Sequence, residues 1–519
     1  MRTATRLAAA ALVAVLAACS DPKDPAGWAE RAASRNRLDE KLAALNAARA
    51  APGDRKAAVK PLLEVLKQAP KARALAAVIL GEAGDPSAAP ALAAALDVAD
   101  RPERDVNDAN VAIAGALGAL KAREAVPVLS KLAMDSRDGF TQIAAIDALG
   151  AIGDPAAVDA LLAVAGNEQA EPFAVKKALL ALGRIGDPRA VPTVVRMLYA
   201  DRPGGSYFPD AAFAASQLGA PMAAPLIAAV QGQDKALEAW AGQRGVHPAA
   251  QRAKAAQVLG DVGGPEAVPA LVSALGYADA EPAAQLIVRV FAAESLGRLR
   301  AREAVGPIAA LLARERDPDA RQRFADSLAR IGDPSALPAL RAAAAAAGSP
   351  EEQVGLLDAL SRLGGEAERP ALAAAARACG EGCPAARRAA LEGMLARLDA
   401  AAACASGGAA CWAGKLADGR AEVRDRAALE VGRGGGAGEA AALGQALVRR
   451  VDSDADLAAR FHAVLALDAV ARRQPLGATR DDLASAIDAM VAADKGRTLT
   501  AGVNEDALRL AGRLRRAAR

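Results

Sequence analysis

Alanine and leucine recur at three- and four-residue spacing through most of the chain, with polar residues between them. That spacing predicts helices carrying one apolar stripe each. The stripes break at regular intervals. Residues 148–164 read ALGAIGDPAAVDALLAV, 181–198 read ALGRIGDPRAVPTVVRML, and 328–340 read LARIGDPSALPAL. Related runs occupy 80–96, 117–132, 218–230, 259–275 and 296–312. The turn falls at Gly84, Lys121, Gly153, Gly186, Gly219, Gly263, Arg300, Gly332 and Gly364, in steps of 32 to 44 residues. Fainter matches lie near Gly53 and after Leu398 and Val431.

One unit can be read from its residues. A first helix ends at glycine, where a left-handed cap is favoured. Asp85, Asp154, Asp187 or Asp333 then caps the next element, with proline directly after it. A second proline follows at Pro90, Pro192 and Pro338. Inside a helix it would cost about 3 kcal/mol, so the second helix starts there and the Asp-Pro segment is a turn. A single hairpin cannot bury its own apolar face, whereas stacked neighbours bury one another's.

These strings resemble HEAT repeats of the short type named after phycobilisome (PBS) lyases, over roughly residues 40–470. The resemblance implies an all-α fold, an α-α superhelix: a HEAT-type solenoid of about 12 helical hairpins. On this reading 31–474 form the solenoid and 475–519 a helical cap. The cap segment holds two helix patterns, 480–493 and 503–516, each acidic at its start or basic at its end, as the helix dipole favours. Arg513, Arg515, Arg516 and Arg519 are alternatively placed to touch anionic headgroups.

Residues beyond the repeat length fall between one hairpin and the next, at 98–108, 199–210, 231–250 and 277–284. Such loops gather on one edge of a solenoid, which is often a binding edge. The aromatics concentrate in and just beside them: Tyr199, Tyr207, Phe208, Phe213, Trp240 and Tyr277 are six of thirteen. Aromatic anchors dominate interface energetics. Tyr199, Tyr207, Phe208, Trp240, His247 and Tyr277 are therefore candidate partner-binding residues. The other reading has the rings plugging gaps beneath longer loops.

The N-terminus reads as an address. Arg2 and Arg6 precede an apolar run, 7–18, too short to span a bilayer. The run ends in Leu16-Ala17-Ala18-Cys19, which resembles the lipobox of bacterial lipoproteins. The resemblance implies removal of 1–18 as a signal peptide, acylation of Cys19, a tether over 19–30, and anchoring to a bilayer. Two or more acyl chains anchor stably where one does not. The place implied is the cell envelope, facing the periplasm. Ser20 at the position where Asp retains lipoproteins in the inner membrane favours the outer membrane.

Composition narrows the chemistry. Basic residues number 64 against 61 acidic, a net charge of +3, so no overall field draws the chain to nucleic acid. The remaining cysteines are Cys379, Cys383, Cys404 and Cys411. Residues 384–399 read as a helix about 24 Å long, which separates the first two from the last two. A disulfide needs Cα atoms within about 7 Å, so the pairs are Cys379–Cys383 and Cys404–Cys411, as an oxidising periplasm permits. The same separation argues against a four-cysteine zinc site. Neither pair is Cys-x-x-Cys. The two histidines, His247 and His462, fall in distant units, which disfavours a shared catalytic site. His462 lies inside a helix pattern and reads as structural. Di-iron hydroxylases among HEAT-like proteins use His-Glu pairs, and no His-Glu dipeptide occurs here. The run at 432–436, GRGGG, lacks the strand before it and the Lys-Ser/Thr after it that a phosphate loop needs. The expectation is a non-enzymatic, cofactor-free scaffold that binds envelope proteins. Enzyme-associated (bilin-lyase-like or redox-linked) and purely structural roles are the alternatives.

Overall fold

The computed structural model describes residues 22–99, 103–167, 169–202 and 205–516. The expected signal peptide, 1–18, and Cys19 lie outside them, as does Arg519. The described chain is an all-α superhelix. Its strands are two pairs of residues, Asp201–Arg202 and Gly205–Ser206.

The repeat forms as its residues require. Helix Gly139–Ile152 stops at Gly153, which takes a left-handed conformation with φ 73°. Asp154 then accepts a hydrogen bond from the Ala156 N–H at 2.9 Å and starts a 3-10 turn that leads into helix Val158–Ala165. Gly84, Gly186 and Gly332 repeat the left-handed turn, and Asp85, Asp187 and Asp333 repeat the cap. Pro90, Pro192 and Pro338 open the second helices Ala89–Ala94, Val191–Met197 and Leu337–Ala345. Lys121 and Arg300 hold the same left-handed backbone without being glycine. That conformation costs an L-residue roughly 1–2 kcal/mol. Gly263 and Gly364 depart from the pattern: both are extended, and the glycine after each starts the 3-10 turn.

In five of the repeats a second glycine sets the spacing of the stack. A Cβ on Gly81 would lie 3.0 Å from Ala116 Cα, on Gly118 3.1 Å from Ala148 Cα, and on Gly150 3.0 Å from Ala181 Cα. Gly260 faces Ser295 and Gly297 faces Ser327 in the same way. The Leu-Gly of the repeat thus permits backbone contact between successive first helices. The leucine beside it packs in the core: Leu80, Leu117, Leu149, Leu259 and Leu296 are fully buried.

The chain divides into two compact units: residues up to Thr193 with Arg202–Gly205, and Val194–Asp201 with Ser206 onward. In the first unit, the buried polar side chains among the described residues are Lys41, Asn110 and Thr141. The rest of its core is aliphatic.

The second unit folds back on itself. Its late helices, Ala421–Gly434, Asp454–Arg473 and Ala501–Arg516, pack over earlier ones. Gln217 donates to the Arg509 carbonyl at 3.2 Å, Arg472 to the Gly263 carbonyl at 2.6 Å, and Arg433 to the Ala329 carbonyl at 2.8 Å. In this unit the chain's own later repeats cover earlier ones, and their arginines cap and pair with the earlier helices. The inserted segment 231–250 also differs from a loop. It holds helix Lys235–Gly242, capped by Asp234 through the Leu237 N–H at 2.9 Å.

Candidate functional site

The expected docking aromatics fare unequally. Tyr199 and Tyr207 are buried. They offer no surface to a partner and fill the core beneath their loop, which corrects their assignment as docking residues. Burial, helped by Asp234, holds the Tyr199 phenol far above its ordinary range. Phe208 is half-buried with Lys254 over its ring at 5.4 Å. Half-buried Trp240 stacks under Arg244 at 4.0 Å. Tyr277, also half-buried, donates to Asp279 at 2.7 Å. His247 is exposed, and its Nδ1 accepts from the Ala249 N–H at 3.1 Å, so it caps helix Pro248–Val262. Cys379 bonds Cys383 and Cys404 bonds Cys411, with Cα separations of 4.9 and 5.6 Å. Helix Ala385–Ala403 stands between the pairs.

More exposed aromatics lie in the first unit. Phe140 is 78% exposed and Phe173 51%. Each sits in the first turn of a first helix, Gly139–Ile152 and Pro172–Ile185, at the same place in consecutive repeats. Met134, also exposed, closes the helix before Phe140. These residues lie on the inter-hairpin edge, outside the long insertions in which the sequence places the docking surface.

The interior of the second unit carries a charged network. Asp425 is fully buried and accepts from Arg362 Nε at 3.0 Å, from Arg397 Nη2 at 2.9 Å, and from His462 Nδ1. Burial acts to raise the Asp425 carboxyl; Arg362, His462 and Arg397 together outweigh it and hold the group well below the usual carboxylate range. His462 Nε2 accepts from Arg330 Nε at 3.4 Å. With one ring nitrogen donating and the other accepting, the imidazole is neutral. Burial lowers its pKa against the pull of Asp425. Both nitrogens are engaged in structural bonds. The nearby Ser361 hydroxyl is buried and donates to the Asp358 carbonyl at 2.8 Å. The histidine therefore orients the network and serves no nucleophile.

Beside this network lies a cavity of about 540 Å³. Eight arginines and four acids line it, together with apolar residues that include Val268, Ile331 and Val464. Asp261 pairs with Arg298 at 2.7 Å and with Arg509 at 3.3 Å. Asp468 pairs with Arg472 at 2.9 Å and with Arg513 at 2.8 Å. Arg300 and Arg473 differ: among the described residues they meet no carboxylate and donate to the Leu429, Gly432 and Gly435 carbonyls. Burial, then repulsion from Arg433 and Arg473, pushes Arg300 down to about 9. Among the described residues no group of His, Cys, Asp and Glu is placed to hold a metal ion.

The sequence reading missed this interior, although one signal was present. Arg424, Asp425 and Arg426 are consecutive on one helix, so they sweep about 200° of its surface. At least one had to face inward, and all three are buried.

The models of two known repeat families match segments of both units. The model for HEAT repeats matches residues 106–175 and 283–361, and that for the PBS lyase HEAT-like repeat matches 176–199 and 251–277. The matched segments carry HEAT repeats. They contain the turns at Gly153, Gly186 and Gly332 described above; the turn at Gly84 lies outside them. No curated protein matches the chain. Among solved structures, human deoxyhypusine hydroxylase in complex with glycerol is 24% identical, with a TM-score of 0.22, over 59% of this chain and 96% of that one. Kap121p bound to Pho4p is 11% identical, with a TM-score of 0.45, over 94% of this chain and 64% of that one. Importin beta is 13% identical, with a TM-score of 0.38, over 93% and 73%.

Proposed function

We propose that this HEAT-repeat chain is a lipid-anchored, periplasm-facing scaffold of the bacterial envelope that docks a protein partner and catalyses nothing itself. The observation that carries the docking part is the exposure of Phe140 and Phe173 at equivalent positions of adjacent repeats. Aromatic rings held in water on a rigid helix edge favour burial against a partner. Phe208, Trp240 and Tyr277 of the second unit are less exposed than these two and are weaker anchors. The anchoring part rests on the Leu16-Ala17-Ala18-Cys19 motif behind its apolar run.

Crosslinking and pull-down from envelope fractions tests the docking. A stoichiometric partner recovered with the native chain is expected to be lost from Phe140→Ala/Phe173→Ala and kept by Phe208→Ala/Trp240→Ala. Equal recovery in both variants removes the proposed surface. Fractionation and mass spectrometry test the anchor. Cys19→Ala is expected to move the chain from membranes to the soluble fraction, and an unmodified Cys19 in the mature native chain rules the anchor out.

A further inference from the structure

We propose that the cavity of the second unit is a binding site for a phosphate-bearing small molecule, with Arg300, Arg433 and Arg473 as the anion cradle. The site is built from three elements. Arg300 stands at a repeat turn, Arg433 on helix Ala421–Gly434, and Arg473 at the end of helix Asp454–Arg473. Glycines make room for two of the guanidinium groups. A Cβ on Gly432 would collide with Arg300, and one on Gly332 with Arg433. Arg300 also keeps a left-handed backbone, with φ 55°, where Gly153, Gly186 and Gly332 stand in other repeats.

Charge arithmetic selects the ligand class. Of the three guanidiniums one bonds a carboxylate: Arg433 meets Glu430 at 2.7 Å. The C-terminal carbonyls of helices Ala421–Gly434 and Pro318–Ile331, which Arg300 and Arg433 meet, add about half a negative charge each. Around the whole cavity eight arginines stand against four acids, a positive excess that a single carboxylate does not balance. A phosphate monoester carries about −1.5 to −2 at neutral pH, with three acceptor oxygens, and guanidinium matches it bidentately. Donors without partners point the same way: among the described residues Arg433 Nε, Arg509 Nε and Arg513 Nη1 are buried and unbonded. Such donors are costly unless an acceptor reaches them. The apolar wall of Val268, Ile331 and Val464 receives the organic part. At about 540 Å³ the cavity lies within the usual range for small-molecule sites. Burial, and then the nearness of Arg433 and Arg473, lower the Arg300 pKa, in agreement with this geometry.

Isothermal titration of the full chain with pyrophosphate, with dihexanoyl phosphatidate and with citrate, at fixed ionic strength, tests the site. One-to-one binding of pyrophosphate and a rise of several degrees in Tm are expected. Arg300→Gly/Arg473→Gln is expected to weaken binding at least tenfold, and Arg123→Gln, an exposed residue of the first unit that does not line the cavity, to leave it unchanged. Arg300→Gly alone introduces the residue that other repeats carry, so its fold is safe; it is expected to weaken binding severalfold. Tighter binding of pyrophosphate identifies a soluble phosphate compound, and tighter binding of the phosphatidate a lipid headgroup. No saturable binding of either, undiminished binding in the double variant, or citrate binding as tightly as the better phosphate probe would overturn the assignment.

Discussion

The first unit encloses an interior of alanine, leucine, isoleucine and valine, with three buried polar side chains among its described residues. The second uses the same hairpin and the same Leu-Gly contact, yet buries Arg397, Arg424, Asp425, Arg426, Arg460 and His462. The difference follows from what each inner surface meets. Stacked hairpins alone meet only like neighbours, and apolar packing suffices. A chain that turns back brings the carbonyl-rich ends of earlier helices against later ones. Those carbonyls need donors in a place with little water, and arginine supplies several from one side chain. Each buried arginine then needs an acceptor of its own, hence the carboxylates.

Cutting one carboxylate out of the second interior tests this contrast most severely. Asp425→Ala leaves Arg362 and Arg397 short of a buried partner and is expected to cost about 3–5 kcal/mol in denaturant melts. A loss below 1 kcal/mol would mean that the network adds little. The glycine contact comes next. Gly150→Ala in the first unit drives a methyl against Ala181 and is expected to cost about 1–3 kcal/mol, read as a lower Tm.

Acid separates the interiors further. The folded His462 has a lowered pKa, so below about pH 6.5 the unfolded chain binds more protons than the folded one. Its contribution is present above that pH and is lost as pH falls toward the folded value. Stability is expected to drop between pH 7 and 5 by no more than about 1.4 kcal/mol per unit. His462→Gln is expected to flatten that slope, and an unchanged slope assigns it to other groups. The smallest effect is expected at a matching pair in the first unit. Lys177 meets Asp147 at 2.9 Å with both partly exposed, and Asp147→Ala is expected to change stability by under about 1 kcal/mol.

What was legible in the sequence was what is local. Asp154 caps an N–H two residues away, and Gly153 ends the helix it follows, so each copy of the motif announces its own geometry. The cystine pairing was legible for the same reason: a helix between the two pairs forbids the crossed alternatives. The charged interior was not, because its bonds join residues far apart. Arg397 reaches Asp425 across 28 positions and Arg330 reaches His462 across 132. Near-equal numbers of acids and bases conceal such pairs. The burial of two of the expected docking residues was illegible for a different reason. Clustering in insertions drew attention to Tyr199 and Tyr207, which the loop folds inward, while Phe140 and Phe173 stood unremarked in repeats of ordinary length.

The contact between Gln217 and the carbonyl of Arg509 spans 292 residues. Splice one more hairpin into the stretch between them, and this pair, with every other clasp across that interior, slips out of register together. An extra hairpin among the glycine seams of the first unit finds the same kind of neighbour above and below. Copy number is thus free to drift in one half of the molecule and is counted in the other.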